Sequence, residues 1–337
     1  MSKVAVIGGG AFGTALASHA ARLERRVLLW ALESEVVGQV NAHHENELFL
    51  PGVQLPSELK ASSDLEEVVK GADLVLLVVP SQHVRSIALR VAPFVADHAT
   101  VLVAAKGIEE RSLELLSTVL AQVMPAVLPE RRVFLSGPSF AREVALGLPT
   151  DLVAACTGSA HVRKVQEILH APTLRIYASS DPVGVQVGAA VKNVVAIAAG
   201  ACDGMALGTN ARAALITRGL AEMTRLGVAL GADPLTFLGM AGVGDLVLTC
   251  TGDLSRNRTL GKRLADGESP QAYLATQRSV AEGFATSAAA YALSARTGVE
   301  MPVTEQVYHV LHRGRPLLEA LRGLVTRDFK DELQGIR

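Results

Sequence analysis

The sequence predicts an α/β protein of two domains, the first alternating strands and helices and the second all-helical. Three observations predict it. Short β-branched runs recur through the first half with helical stretches between them, the order of βαβ units around a parallel sheet. One of these runs, residues 74–79, is apolar without interruption, as a strand buried on both faces requires. From about Pro182 onward, helical periodicity takes over and strand patterns cease. The boundary is set at residue 180, giving domains of residues 1–180 and 181–337. That division agrees with roughly 150 residues per domain.

The elements follow in order. Residues 4–7 form a strand ending in glycines, 14–23 a helix and 27–30 a second strand. Strands at 72–79, 100–105 and 132–136 come next, and 151–155 and 174–177 extend the sheet. In the second half, 185–199 is one long helix. Asn210 caps a helix that runs to Leu226 and stops at Gly227. Asp233-Pro234 pairs a cap with proline at the first helical position. A last clear helix, 287–297, ends at Gly298.

Composition narrows the function. Lys and Arg total 32 against 33 Asp and Glu, a net charge of -1. A general binder of nucleic-acid backbones would carry a basic surplus, so none is expected, although a local basic pocket remains open. With 49% hydrophobic and 19% charged residues the chain is globular. Cys156, Cys202 and Cys250 are odd in number and widely spaced, which argues against a disulfide framework and for reduced thiols in a cytoplasmic protein. The apolar run from Val185 is interrupted by Lys192 and Asn193, short of the roughly 18 uncharged residues of a membrane span. Lys3 and the apolar stretch to Ala20 imitate a secretion signal, but glycines at 8, 9, 10 and 13 break it. His43-His44-Glu45 is read as loop, since adjacent histidines do not face one metal, and no metal site is expected.

Gly8-Gly9-Gly10-Ala11-Phe12-Gly13 fits G-x-G-x-x-G, between a strand and a helix at the N-terminus. Gly8 permits a tight turn, Gly10 lets backbone approach a pyrophosphate, and Gly13 lets helix and strand pack closely. The helix start offers free N–H groups to the phosphates. A glycine turn without a ligand is the plainer alternative, but strand and helix on both sides favour a Rossmann-type dinucleotide-binding domain. An acidic residue about 20 positions on would hold the ribose of NAD. Glu33 stands slightly late for that role, and no arginine occupies residues 30–33 to bind a 2′-phosphate. The reading is NAD or NADP, leaning to NAD.

Other residues offer chemistry. Lys106 follows the strand at 100–105, on the edge where ligands of parallel sheets bind; it is either an anion or carbonyl contact or an ordinary surface lysine. Gly137-Pro138-Ser139 follows the next strand, where turn geometry alone explains glycine and proline. Lys192 is the most informative. On a helix it shares a face with Gly188, Ala189, Val195 and Ala196, so its ammonium is partly buried and its pKa lowered, as a general acid or base near neutrality requires. A lysine snorkelling from a core helix is the alternative. Asn193 stands ready to orient the ammonium or a substrate oxygen. Asp245, in a glycine-rich loop, either fixes the lysine or caps a helix. Ser255 caps a helix whose first turn carries Arg256 and Asn257, a phosphate site or a solvated basic end.

These segments together resemble the bacterial-type NAD(P)-dependent glycerol-3-phosphate dehydrogenase family over nearly all of residues 3–315. The resemblance rests on residues 8–16, Leu50-Pro51-Gly52, Val79-Pro80-Ser81, Lys106-Gly107-Ile108-Glu109, 135–144, 191–200, 210–234, 244–257 and Glu282-Gly283. It implies reduction of dihydroxyacetone phosphate by NAD(P)H to sn-glycerol 3-phosphate, the backbone precursor of glycerophospholipids. It implies that Lys192 exchanges the proton at the C2 oxygen while Lys106 and Asp245 hold the reacting end. Gly137, Ser139, Asn193, Ser255, Arg256 and Asn257 would contact substrate. Phe12, Ala141, Val280 and Glu282 match cofactor positions, and Arg256 and Lys106 reach the cofactor too. The chain departs from the family pattern at Phe12, usually Trp or Tyr; at Leu32, often near a basic residue; at Thr209, typically Asp; and at Ala281, commonly Val.

The site is expected in a cleft between the domains, and the helical half can supply a homodimer interface. Two rivals remain. One is another two-domain hydroxyacid-type dehydrogenase, which would not need the anion site at 255–257. The other is a non-catalytic dinucleotide sensor, which would not need Lys192.

Overall fold

The computed structural model describes residues 2–276 and 281–325. The chain forms two compact units. One comprises Met1–Ala105 and Leu116–Pro182, the other Lys106–Leu115 and Val183–Arg337. Residues 106–115, placed by sequence in the first domain, pack with the second.

The first unit is built on eight strands: β1 (Lys3–Ile7), β2 (Arg26–Trp30), β3 (Lys60–Ser62), β4 (Leu74–Leu77), β5 (Thr100–Val103), β8 (Arg132–Ser136), β9 (Thr150–Ala155) and β10 (Leu174–Ser179). The labels β6 (Ile108–Glu109) and β7 (Glu114–Leu115) belong to a small hairpin of the second unit. The sheet order is β10-β9-β8-β5-β4-β1-β2-β3. Its helices are α1 (Ala11–Arg22), α2 (Ser34–His43), α3 (Leu65–Val69), α4 (Val84–Val91), α5 (Leu116–Val123), α6 (Ala141–Ala145) and α7 (Ser159–Leu169). β4 and β5 are buried at every position, which explains their unbroken apolar runs. Leu16, Ala17 and Ala20 of α1 and Val162, Val165 and Leu169 of α7 share one core with Leu74, Leu76 and Leu102 of the sheet.

β1 lies between β2 and β4, parallel to both, so the chain order reverses there, and in open sheets of this kind ligands bind beyond the carboxyl ends of the strands at such a point. Two features depart from expectation. β9 runs antiparallel to β8, so the sheet is mixed rather than wholly parallel. The connecting helix α6 has five residues, about 7.5 Å at 1.5 Å per residue, and does not span the roughly 16 Å of β8 to return the chain for a parallel pairing. β3 is a three-residue edge strand, too short and too polar to show in the sequence.

The second unit contains α8 (Pro182–Gly204), α9 (Gly208–Ala229), α10 (Asp245–Thr251), α11 (Arg256–Ala265), α12 (Pro270–Thr276), α13 (Glu282–Thr297), α14 (Pro302–Arg313) and α15 (Leu317–Val325). Apart from the β6–β7 hairpin it holds no strand among the described residues. α8 is long and apolar enough to cross a membrane by length and composition, but 94% of that window is buried inside the protein. Val187, Val191 and Val195 of α8 pack with Met223, Leu226, Phe237, Leu246 and Leu293, so it is a core helix. α9 corrects the sequence reading at both ends. It starts at Gly208 without a side-chain cap, so Asn210 lies inside it, and it passes through Gly227. Glycine is there because the Phe237 ring lies 2.2 Å from where a Cβ would stand. α13 ends as expected, with Gly298 in the left-handed region at φ 70°.

Candidate active site

In the first unit the glycine fingerprint forms the turn from β1 into α1. Gly8 has φ +131°, and a Cβ there would lie 2.6 Å from the Val78 carbonyl oxygen. A Cβ at Gly13 would stand 1.9 Å from the Gly8 carbonyl oxygen, so helix and loop touch through backbone. Gly10 is different: a Cβ there meets nothing within 4 Å, so it would project into open space over the loop. α1 starts at Ala11 rather than at Thr14, and Gly10 precedes it without a side-chain cap. The positive end of the α1 dipole therefore lies at this turn, where it favours an anion. Ala11 and Phe12 are half-buried against the core.

A brace behind this loop escaped the sequence reading. Asn46, wholly buried, donates from Nδ2 to the Gly9 carbonyl and to Thr14 Oγ1, both at 2.8 Å. Its Oδ1 accepts from the Phe49 amide at 3.2 Å. A single asparagine in a polar stretch carries no pattern to single it out.

Other expected residues stand at the same carboxyl edge of the first unit's sheet. Glu33 follows β2 as the residue preceding α2, half-buried and making no cap bond. Leu32 beside it is 72% exposed. Gly137 and Ser139 form the turn after β8, where Ser139 Oγ donates to the Gly137 carbonyl at 2.9 Å. Ala141 is the first residue of α6 and packs on the same core as Ala11 and Phe12.

In the second unit Lys106, Lys192 and Asp245 converge. Lys192, from the middle of α8, is 5% exposed, and Asp245 is 1% exposed. Lys192 Nζ donates to Asp245 Oδ1 and, at 3.0 Å, to Thr249 Oγ1. Lys106 Nζ donates to the other carboxylate oxygen, Oδ2, at 3.1 Å. Asp245 is the first residue of α10, after an irregular turn through Met240–Gly244, and Gly244 holds the cap position. Thr249, one turn further on, donates its own proton to the Asp245 carbonyl at 2.6 Å and presents a lone pair to Lys192. Its spacing of four from Asp245 is the one clue to this role in the sequence.

One carboxylate thus serves two ammoniums. Burial pulls Lys192 down to about 8, with Asp245 opposing and the Lys106 charge assisting. Burial alone would raise the Asp245 carboxyl, but the two lysines together hold it below the ordinary aspartate value. A lysine that titrates near 8 can both give and take a proton close to neutrality.

Asn193 does not orient the Lys192 ammonium. Its Oδ1 accepts from Asn257 Nδ2 at 2.9 Å, and Asn257 Oδ1 in turn accepts from the Gly283 amide at 3.0 Å. Ser255 Oγ accepts from the Arg258 amide at 3.3 Å, capping α11 as expected. Arg256 is exposed, and its guanidinium has no hydrogen-bond or ion-pair partner among the described residues. Glu282 opens α13. Val280 lies outside the described residues.

Comparison with known proteins agrees with this arrangement. Residues 3–162 match the model of the NAD-dependent glycerol-3-phosphate dehydrogenase N-terminus, and 181–322 match that of the C-terminus. Glycerol-3-phosphate dehydrogenase [NAD(P)+] of Geobacter sulfurreducens is 50% identical over 330 residues, 98% of either chain. A crystal structure of glycerol-3-phosphate dehydrogenase from Coxiella burnetii matches with a TM-score of 0.92 and 38% identity, covering 97% of this chain and 99% of that one. The yeast glycerol-3-phosphate dehydrogenase structure matches with a TM-score of 0.80 and 26% identity, covering 96% and 99%. With two family models spanning most of its length and a half-identical relative matched end to end, the chain belongs to the NAD-dependent glycerol-3-phosphate dehydrogenase family.

Proposed function

We propose that the protein transfers a hydride between NAD(P)H and dihydroxyacetone phosphate, giving sn-glycerol 3-phosphate, with Lys192 as general acid in reduction and general base in the reverse direction. The observation that carries this reading is the buried Lys192, sharing Asp245 with Lys106 and titrating near 8. A sensor or scaffold has no use for a proton donor so placed.

The loop at residues 8–13 fits a dinucleotide: its backbone is packed behind, open in front at Gly10, and followed directly by the N-terminus of α1. Gly8, Gly10, Ala11, Phe12 and Gly13 would hold the pyrophosphate, with Glu33, Ala141, Val280 and Glu282 as further cofactor contacts. When bound, the nicotinamide supplies the hydride, and the protein supplies position and charge. Glu33 and the absence of arginine from residues 30–33 support NAD as the preferred form.

Lys192 passes its proton to the C2 oxygen as the carbonyl is reduced, a contribution on the order of 10²–10⁴-fold. Lys106 shares the stabilisation of negative charge developing on that oxygen. Asp245 keeps both ammoniums in place. Arg256, Asn257 and the start of α11 hold the phosphate, a remote handle whose binding orients C2. Gly137, Ser139, Asn193 and Ser255 are the remaining substrate contacts. The product supplies glycerophospholipid synthesis, and the three free, buried cysteines support a reducing, cytoplasmic setting.

The test follows consumption of reduced nicotinamide with dihydroxyacetone phosphate, using NADH and NADPH in parallel and unphosphorylated dihydroxyacetone as control. Turnover that depends on the phosphate is expected, faster with NADH. A folded protein that binds cofactor but turns over neither substrate would refute the reading.

A further inference from the structure

Arg256 and Arg258 stand two positions apart in the first turn of α11 and point to opposite sides, as i and i+2 do on a helix. Arg256 faces solvent without a partner among the described residues. Arg258 is 8% exposed and fully engaged. Its Nε and Nη2 both donate to Asp203 Oδ2, at 2.9 and 2.8 Å, and its Nη1 donates to Asp253 Oδ1 at 2.7 Å. The other oxygen of Asp203 accepts from Arg212 at 2.7 Å. Asp203 is the penultimate residue of α8, the helix that carries Lys192.

The joint between α8 and α11 is tight along its length. A Cβ on Gly200 of α8 would stand 1.9 Å from the Arg258 carbonyl oxygen, and one on Gly261 of α11 would stand 2.0 Å from that of Ile197. Nearer the site, Asn193 of α8 accepts from Asn257 of α11. α8 therefore carries the proton donor, α11 carries the anion-binding turn, and the ion pair at Arg258 clamps one to the other. A lysine would not serve, because a single ammonium cannot reproduce the planar fork that meets two carboxylates at once.

We propose that Arg258 is a positioning residue which, through Asp203, sets the separation between Lys192 and the turn at residues 255–257, and so selects the phosphorylated three-carbon ketone over its unphosphorylated counterpart. This rests on the function proposed above. A substrate with a phosphate touches both ends of the gauge, and its C2 oxygen meets Lys192 only if the separation is right. Dihydroxyacetone touches the Lys192 end alone, which Asp245 and Thr249 hold independently of Arg258.

The experiment measures kcat/KM for dihydroxyacetone phosphate and for dihydroxyacetone in Arg258→Lys and Asp203→Asn, with thermal unfolding of each. A misplacement near 1 Å costs on the order of 10²-fold, so a loss of that order is expected with the phosphorylated ketone while the value for dihydroxyacetone stays near wild type. The double variant should lose less than the sum of the two single losses, because the two residues share one contact. Equal losses on both substrates, or an unchanged ratio between them, would overturn the proposal. Asp203→Asn keeps its shape and decides the matter should Arg258→Lys not fold. Absence of phosphate-dependent turnover in the wild type would instead refute the functional reading itself.

Discussion

Replacing Asp245 by Asn removes a counter-charge shared by two lysines while keeping the shape of the side chain. Lys106 lies 3.1 Å from the carboxylate and Lys192 is in direct contact with it. At an effective dielectric near 20, a pair spaced as Lys106 and Asp245 are corresponds to a gross attraction of roughly 5 kcal/mol. Breaking a buried pair by removing one partner typically costs about 3–5 kcal/mol of stability. The amide still accepts a hydrogen bond, so the lower end of that range is expected. The effect on Lys192 is more diagnostic. Burial and the Lys106 charge both lower its pKa, and Asp245 opposes them. With Asp245 neutral, the opposition is lost, and about 1.36 kcal/mol of lost attraction corresponds to one pKa unit. On the proposed mechanism reduction needs Lys192 protonated, so wild-type kcat/KM is expected to be full well below pH 8 and to fall as pH rises through about 8. In Asp245→Asn the falling limb should move to lower pH by about one unit or more. The assay is kcat/KM for ketone reduction against pH, which reports groups of the free enzyme, with thermal unfolding recorded alongside. A limb that stays near 8 would refute the idea that Asp245 sets the proton affinity of Lys192.

Three further outcomes are expected. Arg256→Ala, removing an exposed guanidinium, should mainly raise KM for the phosphorylated ketone; an unchanged KM in steady-state kinetics would contradict a phosphate role. Gly13→Ala places a Cβ 1.9 Å from the Gly8 carbonyl oxygen, and overpacking against backbone costs about 1–3 kcal/mol or more. Weakened NADH binding by fluorescence titration should accompany that loss, and wild-type affinity would show that the loop tolerates the contact. Glu222, buried in α9, accepts from the Val303 amide at 2.5 Å and from the Thr304 amide and hydroxyl at 3.1 Å, capping α14. Glu222→Gln turns an NH2 toward those donors and should destabilise by about 1–3 kcal/mol in urea unfolding, with kcat unaltered.

Much of this architecture was legible in the sequence, and the reasons differ from element to element. β4 and β5 declared themselves because strands buried on both faces admit little but apolar residues. Lys192 stood out because a charge among Gly188, Ala189 and Ala196 needs a partner, although that partner was not assigned by the residues alone. The direction of β9 is not written in its composition, since parallel and antiparallel strands use the same residues; the shortness of α6 decides it. Gly227 misled because a glycine kept for close packing against Phe237 looks like one that ends a helix. Asn46 and Thr249 act through two or three hydrogen bonds each, and such contacts leave little trace in a sequence. That residues 106–115 pack with the helical unit is a fact of long-range contact and invisible locally.

The central claim is that Lys192 moves the proton at C2, and Lys192→Ala tests it most directly. Cofactor affinity, read by fluorescence titration of NADH, should stay near wild type while kcat for dihydroxyacetone phosphate falls on the order of 10²–10⁴-fold. Near-normal kcat in a variant that folds and binds NADH would contradict the account and move the proton donor elsewhere.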